Sequence, residues 1–421
     1  MATLHIEGGR RLDGQIEVDG NKNAALPLLA ACLLTDDACV LSNVPRIRDV
    51  EAMCRLLVSL GADVDGIGTT ELRVQCTRLT TDEPDRALVG TLRGSVLLLG
   101  PLLARRGRAR LAPPGGDFPA RRTIHAHVQA LTAMGARHVD GADYALDAPD
   151  GLRGGSIYLE EASVTGTETA LLAAATARGE TEIRHAACEP HVVELARFLR
   201  AMGVEIAGEG TPTIRVEGAS AARGATRRLD GDYIEAGTWA VVAVLTGGQV
   251  EIGGARLSDL EPILAVLGRM GVRWAFDTDR LRVEPSTLSG TARITTAPWP
   301  GFPSDMVSLT TVLATQAAGR TLIHDWMYEL RLFALEQLSG MNADLFLCDP
   351  HRIIVTGPRR LRGRTLDSRD LRSGMALIAA ALAAEGASRV RPLETVERGY
   401  ARVVERLRAL GAQIDIDLEE G

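Results

Sequence analysis

One phrase recurs six times along this chain: an amphipathic helix, a small residue, then an alternating strand. The copies are CRLLVSLGADVD (54–65), AHVQALTAMGARHV (126–139), ELARFLRAMGVEIA (194–207), ILAVLGRMGVRWAF (263–276), LEQLSGMNADLFL (335–347) and VERLRALGAQIDI (404–416). The helices end on Gly61, Gly135, Gly203, Gly271, Asn342 and Gly411, at separations of 74, 68, 68, 71 and 69 residues. Glycine is the usual left-handed helix cap and asparagine its commonest substitute. That the fifth copy spends one of only four asparagines here marks a structural repeat.

Each period also holds a second helix, alanine-rich and apolar nearly all round: 23–36, 93–107, 166–180, 234–248, 304–320 and 371–386. A helix apolar on every side belongs in the interior. The strands between, such as CVLSNV (39–44), ELRVQC (71–76), TEIRHA (181–186), TIRVEG (213–218) and RIIVTG (352–357), alternate and so keep one wet face. These features predict an α/β fold turned inside out, with helices within and sheets outside, as six repeats in two lobes of three. The expected lobes are 21–229 and 1–20 plus 230–421. The chain crosses near Gly20–Asn21 and again in the Gly-, Ala- and Arg-rich stretch 219–232, and the N-terminal strand Leu4–Val18 completes the second lobe. Two lobes joined by a double hinge make a cleft that can close on a ligand.

Composition narrows the class. Hydrophobic residues are 46% and charged residues 24%, which suits a globular protein. The longest apolar runs (Ala24–Leu34, Ser95–Ala104, Gly374–Ala384) are shorter than a membrane span needs, and MATLHIEGGRR has no apolar targeting region. Six cysteines without CxxC spacing point to a reduced, cytoplasmic protein with no cysteine-based metal site. A net charge of −7 argues against a general nucleic-acid partner. No cofactor is called for, and the sequence carries no signal for oligomeric state.

Lysine and arginine total 47, yet Lys22 is the single lysine. Arginine is a planar fork that stays charged, whereas lysine is a compact, flexible ammonium. A lone lysine therefore marks a place where a fork will not serve. Lys22 and Asn23 open the first buried helix, Arg93 the second and Ser163–Thr167 the third; Asp232 and Glu235 open the fourth, Asp305 the fifth, and Asp370 with Arg372 the sixth. Arg121, Arg122, Arg331 and Arg398 are placed at the starts of amphipathic helices. Cations at helix N-termini oppose the dipole by about 0.3–1 kcal/mol each, so an anionic ligand is expected there. The loop LAPPGGDFPARR (111–122) presents Asp117 at its tip between prolines and glycines, the composition of a movable lid.

With GNKNAALPLL (20–29), NVPRIRDV (43–50), LRGSVLLLGPL (92–102), PPGGDFPARR (113–122), PGFPSDM (300–306), YELR (328–331), DLRSGMALIAAALAAEG (370–386) and ERGYARVVERLRALGA (397–412), the sequence resembles the enolpyruvyl transferases from end to end. Within them it is most similar to the branch acting on UDP-N-acetylglucosamine. The resemblance implies transfer of the enolpyruvyl group of phosphoenolpyruvate to a sugar hydroxyl, through a tetrahedral intermediate and with release of phosphate. It implies that Lys22, Arg122 and Arg398 hold phosphoenolpyruvate, with Arg331 and Arg372 completing the cationic wall. Asp117 stands at the loop acid that protonates carbon 3, and Asp305 at the group that takes the acceptor's hydroxyl proton. Asn23, Arg93, Thr123, Ile124, His125, Ala126, Glu161, Ala162, Ser163, Val164 and Met327 fall where the family binds its nucleotide.

Departures cluster on the acceptor side. The loop acid is most often cysteine in the family and is Asp117 here. Glu161 stands where lysine is usual, His125 where aspartate is, Thr123 where proline is, Thr165 where glycine is and Tyr233 where arginine is. A desolvated Glu161 would weaken diphosphate binding by about 1–3 kcal/mol. A related uridine nucleotide, such as UMP accepting at its 3'-hydroxyl as in nucleoside-antibiotic biosynthesis, is the alternative acceptor this pocket leaves open.

Overall fold

The computed structural model describes residues 2–116, 123–139, 144–328 and 331–418. The chain gathers into two compact units, Met1–Asp19 with Gly231–Gly421, and Gly20–Asp230. In the first of these, the helices Tyr233–Leu245, Val307–Thr315 and Leu371–Ala383 pack on one another. Every residue from Val307 to Thr315 is buried, as is every one from Arg372 to Leu382. The hydroxyls this burial catches are turned inward on the backbone: Thr310 and Thr311 each donate to the carbonyl four residues back, both at 2.8 Å. In the unit Gly20–Asp230 the buried helices are Lys22–Ala31, Leu99–Arg106 and Val164–Ala174, the second led in by a 3-10 turn at Arg93–Leu98.

Among the described residues, each unit carries three sheets around its helices. In five of the six, one pair of strands is parallel and the next two pairings are antiparallel. Strands such as Glu71–Gln75 and Ala387–Arg391 alternate exposed and buried positions, one face wet and one on the helices. The inside-out α/β arrangement therefore follows from the two kinds of helix. The strand Ala2–Glu7 lies between Ala387–Arg391 and Gln413–Leu418, and Gly14–Glu17 pairs with Val250–Gly253. The helix-ending residues Gly61, Gly135, Gly203, Gly271, Asn342 and Gly411 all have φ between 76° and 104°, which accounts for five glycines and an asparagine at these positions.

The second crossing falls within the stretch 219–232, which also contributes a strand. Thr226–Arg228 adds as a parallel strand to Cys39–Ser42, so the units divide at Asp19–Gly20 and Asp230–Gly231. A Cβ on Gly20 would stand 1.8 Å from the Asn43 carbonyl oxygen, and one on Gly231 2.0 Å from that of Gly254.

Just before each crossing, a buried glutamate holds a backbone amide. The Asp19 N–H donates to Glu235 at 2.9 Å, and the Asp230 N–H to Glu194, also at 2.9 Å. Arg406 pairs with Glu235, whose other support is the Trp239 indole N–H at 3.1 Å; Arg227 reaches Glu194 at 3.4 Å. Burial pushes both carboxyls up, from 4.5 to about 7. A carboxyl that binds its proton more tightly when folded makes the folded state weaker as pH climbs from its unfolded value to its folded one. Stability is thus expected to fall as pH climbs between about 4.5 and 7. Melting curves of the wild type and of Glu194→Gln across pH 5–8 check this: the variant's melting temperature should depend less steeply on pH.

Candidate active site

Lys22 is the first residue of the helix Lys22–Ala31, placed there by Asn21, whose side-chain oxygen accepts from the amides of Asn23 (2.8 Å) and Ala24 (3.2 Å). Its ammonium lies 2.7 Å from an Asp49 carboxylate oxygen. Asp49 belongs to the first turn of the helix Arg48–Ser59 and is buried. An acid in a first turn suits that helix's dipole, so Asp49 is a fixed counter-charge that aims the ammonium.

Of the other residues expected in this unit, Arg93 donates to the Thr123 carbonyl at 2.7 Å and so ties the start of the Arg93–Leu98 turn to the segment leading into the helix His125–Ala133. Ile124 and Ala126 are buried there, whereas Thr123 and His125 are exposed, His125 lying 3.6 Å from Glu160. Ser163 caps the helix Val164–Ala174 through its hydroxyl, which accepts from the Gly166 amide at 3.2 Å, and its own amide donates to Glu161. Thr165 meets the His127 ring at 2.8 Å. Glu161 is exposed and Ala162 half-buried. Asp117, Arg121 and Arg122 lie outside the described residues.

In the other unit, Asp305 sits in the 3-10 turn Ser304–Met306 that leads into the helix Val307–Thr315. Arg331 donates to one of its oxygens at 3.2 Å and Arg372 to the other at 2.9 Å. Both arginines are nearly buried, at 9% and 7% exposure, so neither is a surface ion-pair partner. Burial opposes the charge on Arg372, but Asp305 beside it more than restores it, and the guanidinium is held firmly protonated. Arg331 is steadied further by the Tyr328 ring, 4.2 Å from its guanidinium carbon. Met327 is 40% exposed.

Arg398 corrects one expectation. It stands not at a helix start but in the turn between Leu393–Val396 and Val403–Ala409, because the last amphipathic helix is broken there, with Arg402 in the left-handed region. Arg331 does open a helical segment, though a 3-10 one, Arg331–Glu336. Reading the residues missed Asp49, Ser304, Asp325 and Tyr400. Asp49, Ser304 and Tyr400 lie within motifs that carry the resemblance, and an aspartate on the buried side of an amphipathic helix was the available signal for the first.

Among the described residues there is no cluster of side chains able to hold a metal ion, and no helix long and apolar enough to cross a membrane. Chemically, the arrangement offers a carboxylate gripped by two guanidiniums and, in the other unit, an ammonium aimed by a carboxylate. These are groups suited to an anionic substrate and a proton transfer.

Residues 6–407 match the family model of EPSP synthase (3-phosphoshikimate 1-carboxyvinyltransferase). Curated relatives include the UDP-N-acetylglucosamine 1-carboxyvinyltransferases of Treponema denticola, 40% identical over 98% of both chains, and of Bradyrhizobium diazoefficiens, 42% identical over 97% of this chain and 96% of that one. Among solved structures, the enolpyruvyl transferase NikO from Streptomyces tendae superposes with a TM-score of 0.89 at 26% identity, covering 99% of this chain and 98% of that one. EPSP synthase from Acinetobacter baumannii, at 19% identity and a TM-score of 0.79 over 99% of this chain and 100% of that one, shares the fold.

Proposed function

The chain belongs to the EPSP synthase family of enolpyruvyl transferases, and from that premise we propose that it transfers the enolpyruvyl group of phosphoenolpyruvate to the 3-hydroxyl of UDP-N-acetylglucosamine, releasing phosphate. In the cytoplasm this is the first committed step of peptidoglycan synthesis. Full-length relatives near 40% identity carry that activity in their names. The structural observation that supports it best is Asp305, fixed between Arg331 and Arg372 at a helix start.

The reaction joins the acceptor oxygen to carbon 2 of phosphoenolpyruvate while carbon 3 gains a proton; phosphate then leaves carbon 2 and the added proton leaves carbon 3. Carbon 2 is electrophilic only once carbon 3 is being protonated, which is the part we give to Asp117. Asp305 takes the hydroxyl proton. Each of its oxygens accepts a hydrogen bond from one of the two arginines, which fixes the plane of the carboxylate. Lys22, Arg122 and Arg398 bind the donor's phosphate and carboxylate, each charge-assisted bond contributing about 1.5–3 kcal/mol. Arg331 and Arg372 complete the cationic wall. Asn23, Arg93, Thr123–Ala126, Glu161–Val164 and Met327 take the nucleotide.

Phosphate release from phosphoenolpyruvate, assayed in parallel with UDP-N-acetylglucosamine and with UMP, tests the reading. Release with the first alone is the expected outcome; release with UMP alone would transfer the reading to the alternative acceptor. Asp117 adds a second expectation. A carboxylic acid protonates carbon but forms no thioether with fosfomycin, so turnover should persist in that inhibitor with no covalent adduct by mass spectrometry. Asp117→Cys should acquire the adduct.

A further inference from the structure

The two arginines that grip Asp305 are themselves held from behind, each through a hydroxyl. Arg372 donates through its second terminal nitrogen to the Tyr400 hydroxyl at 3.1 Å, and that hydroxyl lies 2.9 Å from Thr238 Oγ1. Thr238 has a single proton, and it lies toward the Ile234 carbonyl at 2.8 Å. Thr238 must then accept from Tyr400, which leaves the phenol oxygen to accept from Arg372. The direction of every bond is fixed: guanidinium to phenol, phenol to threonine, threonine to the first turn of the helix Tyr233–Leu245. Tyr400 is 1% exposed and Thr238 0%, so water does not substitute for either. The Tyr400 ring also lies 5.6 Å from the Arg372 guanidinium carbon.

Arg331 repeats the device. It donates to the Ser304 hydroxyl at 2.7 Å, and Ser304 donates in turn to Asp325 at 2.7 Å. Asp325, wholly buried, is held by the Thr296 hydroxyl at 3.0 Å on its other oxygen. A guanidinium with both ends engaged has one orientation. Without the rear contact it keeps its charge but not its aim.

We propose that Tyr400 and Ser304 are positioning residues for enolpyruvyl transfer, each fixing through a hydroxyl relay the arginine that orients Asp305. This rests on the reading of Asp305 as the proton acceptor. It predicts a loss in kcat more than in donor KM, because both arginines retain their charge.

Phosphate release by Tyr400→Phe, Thr238→Val and Ser304→Ala, with thermal unfolding followed alongside, tests it. Each variant is expected to lose about tenfold in kcat, with less than about a threefold change in KM for phosphoenolpyruvate. Tyr400→Phe and Thr238→Val cut the same relay, so the double variant should be no slower than the slower single; Tyr400→Phe with Ser304→Ala cuts two relays, and those losses should multiply. Thr238→Ser should recover what Thr238→Val loses. Should Tyr400→Phe fail to fold, Thr238→Val and Ser304→Ala carry the same test. Wild-type kcat in folded single variants, or loss in KM alone, overturns the inference and leaves the enolpyruvyl reading standing. A wild-type protein that releases no phosphate with either nucleotide overturns both.

Discussion

Asp305→Asn is expected to lower kcat by about 10²–10⁴-fold while leaving the fold intact. The asparagine side chain matches aspartate in shape, but it cannot take a proton from the acceptor hydroxyl, and it replaces one acceptor oxygen with a donor. One of the two arginine contacts, at 3.2 and 2.9 Å, then meets a like donor rather than an oxygen. Two nearly buried guanidiniums also lose their shared counter-charge, which should destabilise the unit by about 1–3 kcal/mol. A melting point lowered by several degrees is the expected companion. The measurement is single-turnover phosphate release at saturating substrates, with donor binding followed separately. Strong donor binding with almost no turnover is the expected pair of results. Turnover within a few-fold of wild type would show that Asp305 is only the counter-ion of Arg331 and Arg372, and that the proton goes elsewhere.

How much of this was legible follows from where each constraint is written. The repeat was visible because every module must turn from helix to strand through a left-handed residue, and Gly61 through Gly411, with Asn342, announce that turn locally. The buried helices were equally plain, since an all-round apolar pattern has only one place to go. Partnerships were not legible in that way. Arg372 meets Asp305 across 67 residues of sequence and Tyr400 meets Thr238 across 162, contacts set by how helices pack and not by any spacing. Composition located the second crossing within 219–232 but not the strand Thr226–Arg228 inside it, which joins a sheet through backbone groups that every residue carries. Arg398 is not at a helix start, because the helical phrase at 404–416 begins only at Val403, after a left-handed Arg402. The acceptor-side departures at Glu161 and His125 are legible as changes of charge, and both side chains are exposed.

Lys22→Arg should reduce kcat/KM for phosphoenolpyruvate by about 10²-fold, although it is the mildest exchange of one cation for another. Lys22 is 12% exposed at the side chain and its ammonium is engaged 2.7 Å from Asp49, itself 6% exposed. Arginine brings a larger, planar head into that space, and overpacking of a filled site costs about 1–3 kcal/mol. The fork also satisfies a carboxylate in a bidentate way, so it would be captured by Asp49 and held edge-on, whereas the ammonium is a compact point charge. Loss of one charge-assisted contact to the donor, at about 1.5–3 kcal/mol, corresponds to roughly 10- to 150-fold in kcat/KM. Every other lysine-or-arginine position of this protein is arginine, which sets Lys22 apart. Steady-state kinetics with a melting curve separate the two effects: the drop should appear in kcat/KM with the melting point within a few degrees of wild type. Undiminished turnover in Lys22→Arg would make the lone lysine an accident of codon use, and the assignment of the donor's phosphate to this side chain would fall with it.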